Sequence, residues 1–320
     1  MLILKSKLKH ELHLKNLLNT IAAPIGHCNE YRYETKFISA EIDLTNKNQN
    51  DVIYGIELDE TFIPIRTGKV LDINNFGDFH FFNVQLGNFI SHAELSKTSL
   101  EHLAFQCTAN YKEISVRSTD WSNHLSHLSD IIKNKGLGTC CFLHLEIFAS
   151  DSEDNCHFDE KRLSPKNSNC HSIYQPKANI DYYINIVCLF PSYTGNSNCP
   201  TFSVDIPTQA GSHHMKEIVI SSKCNRTVIP LNFSSIKDHP LGSIVISSKS
   251  NCFKTPTISI FYKMDYLEVY CSILAMTLTI VFLKAIMIGT TSSNIIEHCI
   301  TTLQATFLVS AAYKFREKIS

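Results

Sequence analysis

The chain has 320 residues, 44% of them hydrophobic, with only 18% charged and a formal net charge of −1. That is enough apolar material for one large core or two ordinary ones. Lys and Arg are scattered along the chain and form no basic stripe, which argues against nucleic acid as a main partner. The shortage of Glu and Lys, with Ser, Thr and Asn supplying polarity, favours strands and turns over long solvated helices.

The first residues, MLILKSKLKHELHLK, place a lysine where a secretory signal needs an unbroken apolar stretch. An intracellular protein is therefore predicted, and its twelve cysteines are expected as free thiols. Asn225-Arg-Thr and Asn232-Phe-Ser fit the glycosylation pattern, which arises readily by chance in so Asn- and Ser-rich a chain. Leu4, Leu8, Leu12, Leu14, Leu17, Leu18 and Ile21 predict one amphipathic helix over residues 2–22, ended by Pro24 and Gly26. Its basic face suits a membrane surface or a partner, but packing on its own domain is the simpler expectation.

From Tyr31 to Phe89 the pattern changes to short runs rich in Ile, Val, Phe and Tyr. KFISAEIDL, DVIYGIEL, TFIPIRTG, KVLDI and FHFFNVQL read as antiparallel strands. Helices are predicted near Ser91–Phe105 and Thr119–Lys133, and a strand at Thr139–Ala149. Residues 150–179 are polar, contain two prolines and lack periodicity, so they read as a linker or long surface loop. Strand patterns resume at Tyr182–Phe190, Thr201–Ile206, Glu217–Ser221, Thr227–Phe233, Ser243–Ser247 and Thr257–Tyr262. IVISSKCN at 218–225 and IVISSKSN at 244–251 form a short repeat, explained by two strands that each enter a Ser-rich turn.

Val269–Leu283 carries no charge, and the apolar run continues past Lys284 to Ile288. At about 20 residues it meets the length for a membrane span, with Lys284 placed to reach the interface. Two buried strands joined by a turn satisfy the same pattern, and periodicity does not separate the two. Because Asp265-Tyr266 leads into the run as a strand would, the sheet is the expected place for it.

Motifs for chemistry are incomplete. Cys156-His157 and Cys170-His171, with Cys140, Cys141 and His144 upstream, offer zinc ligands. Adjacent residues on an extended chain point apart, however, and the two-residue gap of structural zinc sites is missing. His124 and His127 share a helix face without a third ligand. His213-His214 fall in a Gly-Ser turn, and His10-Glu-Leu-His13 has the wrong spacing for a metalloprotease. Gly136-Leu-Gly138 follows a helix and precedes a strand, the reverse of a phosphate loop. No metal, cofactor or small-molecule substrate is expected.

One stretch carries a family likeness. Pro240-Leu-Gly242-Ser-Ile-Val-Ile, followed by Ser248-Lys249-Ser250, resembles the turn, strand and phosphate-contacting loop of a dUTPase. Asp265-Tyr266-Leu-Glu268-Val resembles the Asp-Tyr element of its uracil-binding hairpin. They lie within Arg226–Tyr270, about a seventh of the chain, in the family's order and at a slightly short spacing. The likeness is to the dUTPase-related proteins of herpesviruses, which keep the β fold and have lost the active site. It implies that Ser248, Lys249 and Ser250 are a degenerate phosphate loop, and Asp265 and Tyr266 a degenerate uracil hairpin. The family's water-activating aspartate would fall near Tyr262 and Lys263, and Lys249 cannot grip phosphates bidentately as arginine does. Hydrolysis is therefore not expected.

The resulting expectation is a mainly β protein of two sandwich- or barrel-like parts with a few helices. Residues 1–149 form the first part, 150–179 the linker and 180–320 the dUTPase-like part with its apolar stretch. Its implied function is that of a non-catalytic viral accessory protein engaging a host or viral protein in cytoplasm or nucleus. The alternative is a C-terminally anchored membrane protein with a cytosolic β domain, attached through residues 269–288.

Overall fold

The computed structural model describes residues 1–7, 11–38, 51–58, 61–95, 104–106, 109–114, 119–138, 140–150, 162–168, 171–177, 180–188, 201–207, 213–219, 226–231, 241–248, 254–263, 265, 271 and 273–279. The fold is mainly β, in several curled sheets. It divides into two units: Met1–Pro176 with Ile180–Met264, and Lys177–Asn179 with Asp265–Ser320.

In the first unit, the largest sheet takes β1 (Leu2–Lys7), β2 (Cys28–Glu34), β3 (Asp51–Leu58), β4 (Thr61–Phe76), β5 (Phe79–Leu95) and β6 (Ala104–Gln106) in the order β2-β5-β4-β3-β1-β6. β7 (Ala109–Ile114) joins the far half of β5. TFIPIRTG and KVLDI thus belong to one long strand, β4. It absorbs Pro64 opposite a register shift at Tyr54/Gly55 and shifts again around Arg66/Gly68 and Val70/Asp72.

Two helical expectations are corrected here. Leu2–Lys7 is a strand, parallel to β3 with Leu2 opposite Val52, and the helix α1 begins only at Glu11 and ends at Ala22. Leu2, Ile3, Leu4 and Lys5 are all buried because β1 is an inner strand covered on both faces. Such a run has no alternation for the eye to find. The Lys5 ammonium is held 3.0 Å from Glu57 of β3. Likewise Ser91–Leu95 is strand, and Ala104–Gln106 is strand again. The register shift between Ile90 and His92 buries Phe89 and Ile90 in succession, which erases the two-residue period.

The remaining helix, α2 (Thr119–Asn134), lies where the sequence puts it. Its end explains the glycine pair. Gly136 has φ +73°, its N–H bonds to Lys133 O at 3.0 Å, and Leu137 N–H bonds to Ile132 O at 3.3 Å. This is a left-handed helix stop, with glycine where a side chain would be strained.

The rest of the unit is two smaller sheets. One takes β8 (Leu143–Ser150), β11 (Asp181–Cys188) and β14 (Arg226–Leu231) in the order β14-β11-β8. The other takes β9 (Lys166–Ser168), β10 (His171–Tyr174), β12 (Thr201–Pro207), β13 (His213–Val219), β15 (Leu241–Ser248) and β16 (Ile258–Lys263) in the order β13-β12-β15-β16-β10-β9. β8 and β11 pair across the polar stretch 150–179, of which 151–161, 169–170 and 178–179 lie outside the described residues. The described parts of the repeat, Ile218–Val219 and Ile244–Ser248, flank the same strand: Ile218 and Ser248 both stand opposite Phe202. Of KFISAEIDL, residues 39–44 lie outside the description, and Thr35–Phe37 form a 3-10 turn.

The second unit corrects the sheet reading over the described part of the apolar run. Residues 273–279 are helical. Ile273, Leu274, Met276 and Leu278 are all exposed, Met276 by 65%. The hydroxyls of Thr277 and Thr279 bond back to Ile273 O and Ala275 O at 2.7 and 2.8 Å. Both hydroxyls are thus satisfied by local i→i−4 bonding, and β-branched content did not make this segment a strand. Residues 280–288 lie outside the described residues.

Candidate functional site

A polar cluster in the first unit surrounds Arg66, which is fully buried in β4. Its Nη1 donates to Thr20 O at 2.8 Å and Ala23 O at 2.7 Å. Nε and Nη2 donate to Gly87 O at 3.0 and 2.6 Å, and the guanidinium lies 4.6 Å over the Phe89 ring. The last carbonyls of a helix lack intrahelical donors and carry the negative end of its dipole. A guanidinium set there meets both needs. Burial lowers its pKa to about 10, which leaves it charged at neutral pH.

β8 adds a second fastening to the same turn. His144 Nδ1 lies 3.0 Å from Ile21 O, and a carbonyl only accepts, so Nδ1 carries the proton. Nε2 sits 3.8 Å from a Glu146 oxygen, and that carboxylate takes bonds from Arg162 Nη2 at 3.0 Å and Asn185 Nδ2 at 3.4 Å. Burial first, then Arg66, lowers the His144 pKa against the pull of Glu146. His27, facing the Tyr174 hydroxyl at 3.3 Å, is lowered to about 4, by burial and then by Arg66. Tyr31 bonds to Thr20 Oγ1 at 2.8 Å and stacks on Tyr54, whose phenol burial raises to about 12.

Chemically the cluster is closed. Its cation donates to backbone carbonyls, burial disfavours charge on its imidazoles, and its phenols keep their protons. It fixes α1 to two sheets and presents no nucleophile. Sequence reading passed over it. The available signal was Arg66 itself, a lone charge inside the apolar run TFIPIRTG.

Ser248 ends β15 in the first unit, while Asp265 belongs to the second, where it forms a parallel bridge with Lys177. Lys249, Ser250 and Tyr266 lie outside the described residues, as do Cys156, His157 and Cys170. Cys140 and Cys141 are buried, and burial raises the Cys140 thiol to about 12, far from the thiolate a metal needs. His124 Nε2 meets Pro64 O at 3.2 Å while His127 is exposed. His213 and His214 begin β13 and do not sit in a turn. Among the described residues no group of three or more His, Cys, Asp or Glu could hold a metal ion.

No protein-family model matches the chain, and no curated protein does. Among solved structures, the N-terminal domain of Mycobacterium avium complex Lon protease is 13% identical, over 42% of this chain and 68% of that one. Its TM-score of 0.24 carries no argument about function. The class of protein in hand is thus a mainly β chain whose buried polar cluster is a fastening.

Proposed function

We propose that this is a non-catalytic, membrane-attached protein, a β-rich body held at a bilayer by the apolar run 269–288, with the body on the cytosolic side. The observation that carries it is the helix at 273–279, whose large apolar side chains face outward. Water is a poor solvent for such a surface, and lipid a good one. Thr277 and Thr279 close their hydroxyls on the helix backbone, which removes the cost of placing them in hydrocarbon. Among the described residues no helix is long and apolar enough to cross a membrane. The run reaches the needed ~30 Å only with the sequence that follows, through Ile288.

The test is an alkaline carbonate wash of membranes from cells making the full chain. The protein should stay in the pellet, and Leu274→Asp with Met276→Asp should move it to the supernatant. Wild-type protein washed free would refute attachment through this run. Purified chain should release no pyrophosphate from dUTP above a buffer blank, and release would refute the non-catalytic part.

The dUTPase resemblance supports a second reading, a viral interaction protein on a retired enzyme scaffold. In its favour, β15 pairs antiparallel with β16 and carries Ser248 to a strand end, where the resemblance puts the phosphate loop. It ranks second because residues 273–279 are helical where the expected strand should follow. A protein fully released by carbonate and stable in solution would restore it.

A further inference from the structure

We infer that the large sheet binds one hard divalent cation, Mg2+ or Ca2+, between Glu30 of β2, Asn83 of β5 and Asp72 of β4. All three residues belong to the first unit, so the site is independent of the membrane reading.

Register sets the three side by side. β5 lies between β2 and β4, and Asn83 stands opposite Glu30 on one side and Asp72 on the other. Directly opposed residues of antiparallel strands share a face, with Cα atoms about 4.5–5.5 Å apart. The neighbouring row, Tyr31, Phe82 and Ile73, takes the other face, where Tyr31 and Phe82 are buried in the core. The register shift between Val70 and Asp72 sets Leu71 out of the ladder and brings Asp72 beside Asn83. Both carboxylate residues are exposed, and Asn83 between them is 0% exposed.

The amide is the group that points to a ligand. Neither Oδ1 nor Nδ2 of Asn83 has a hydrogen-bond partner among the described residues. Leaving buried polar atoms unpaired is unfavourable, and so is holding like charges on both sides of one residue. The carboxylates can accept from Nδ2 but cannot serve Oδ1, because an ionised carboxylate has no proton to donate. The nearest cations in the register are placed for other contacts. Arg32, two residues along β2, lies 4.9 Å over the Phe79 ring, and Lys69 stands opposite Gln85. A divalent cation answers both needs: it takes Oδ1 as a ligand and offsets the two carboxylate charges. Drawn inward onto the ion, either carboxylate can also accept from Nδ2. The donors are oxygens, with no nitrogen or sulfur among them, which selects Mg2+ or Ca2+ over zinc. Water fills the remaining coordination positions, as is usual for Mg2+ held by one or two carboxylates.

Melting of the chelator-stripped full chain in mild detergent tests this, with MgCl2 or CaCl2 added and NaCl at matched ionic strength as the control. Either divalent salt should raise Tm beyond the NaCl control. At ten times the dissociation constant the folding equilibrium constant should gain about elevenfold. The salt that acts at the lower concentration identifies the preferred ion. Glu30→Gln and Asp72→Asn change exposed positions. Each should leave the stripped protein no less stable and should need at least about tenfold more cation for the same rise, the loss of one charged ligand. Asn83→Leu should abolish the rise without destabilising the stripped protein, and if it fails to fold, the two carboxylate variants decide. No rise with either salt up to about 10 mM, well above the range of weak protein sites, would overturn the proposal. A rise that NaCl reproduces would overturn it as charge screening. A smaller than tenfold change in either carboxylate variant would place the ion elsewhere and overturn it too. None of these outcomes bears on membrane attachment.

Discussion

Two helices in this protein have the same chemistry on paper and opposite fates. In α1, Leu14, Leu17, Leu18 and Ile21 recur at helical spacing and are buried, Leu17 and Ile21 completely. In residues 273–279, Ile273, Leu274, Met276 and Leu278 are as apolar and remain exposed. Each helix folds a threonine hydroxyl onto its own backbone: Thr20 bonds to Asn16 O at 2.7 Å, as Thr277 does to Ile273 O. What α1 has in addition is cover from sheets on its apolar face, with a cation and an imidazole on its last carbonyls. An apolar helix becomes a core element only when its own chain supplies that cover.

The comparison breaks most sharply at Arg66. Arg66→Met keeps the side chain's bulk and leaves the carbonyls of Thr20, Ala23 and Gly87 without these donors. Several buried acceptors lose a charged partner together, and the expected loss is about 3–5 kcal/mol in urea unfolding of the full chain in mild detergent. A loss under about 1 kcal/mol would mean that α1 is held by apolar burial alone.

Next in size is Leu17→Ala, which opens a cavity in a fully enclosed site and should cost about 2–5 kcal/mol. A smaller loss in the same unfolding assay would show that the helix and sheets close over the gap.

The third test uses acid. The His27 pKa falls from 6.5 to about 4 on folding, so below pH 6.5 the unfolded chain binds a proton that the folded chain refuses. Stability is therefore full above pH 6.5 and declines as pH drops toward 4, by about 3 kcal/mol for this group. His144 shifts in the same direction and adds to the slope. Melting temperatures measured from pH 7.5 to 4 should fall, and His27→Gln should flatten the fall. A parallel curve for the variant would assign the acid sensitivity elsewhere.

The smallest effect should be Leu274→Ala. Its side chain is exposed, so the melt of the β-rich body should move by less than about 0.5 kcal/mol. A shift as large as that of Leu17→Ala would mean that the chain covers Leu274 after all, and the contrast between the helices would collapse.

By itself the sequence determined that this protein is mainly β, where most strands of the second half lie, and that α2 and the core of α1 are helical. Those depend on local period and turn chemistry, as at Gly136, where a left-handed stop is written in the residue type. It also held the apolar length at 269–288, without saying which structure would use it. Tertiary structure alone decided that Leu2–Lys7 is an inner strand, because its partners Val52–Glu57 and Ala104–Gln106 are remote in the chain. It alone joined Arg66, His144 and the end of α1 into one cluster. Each of those groups is ordinary in its own segment, and only the pairing of distant strands brings a buried cation to carbonyls that would otherwise have no donor.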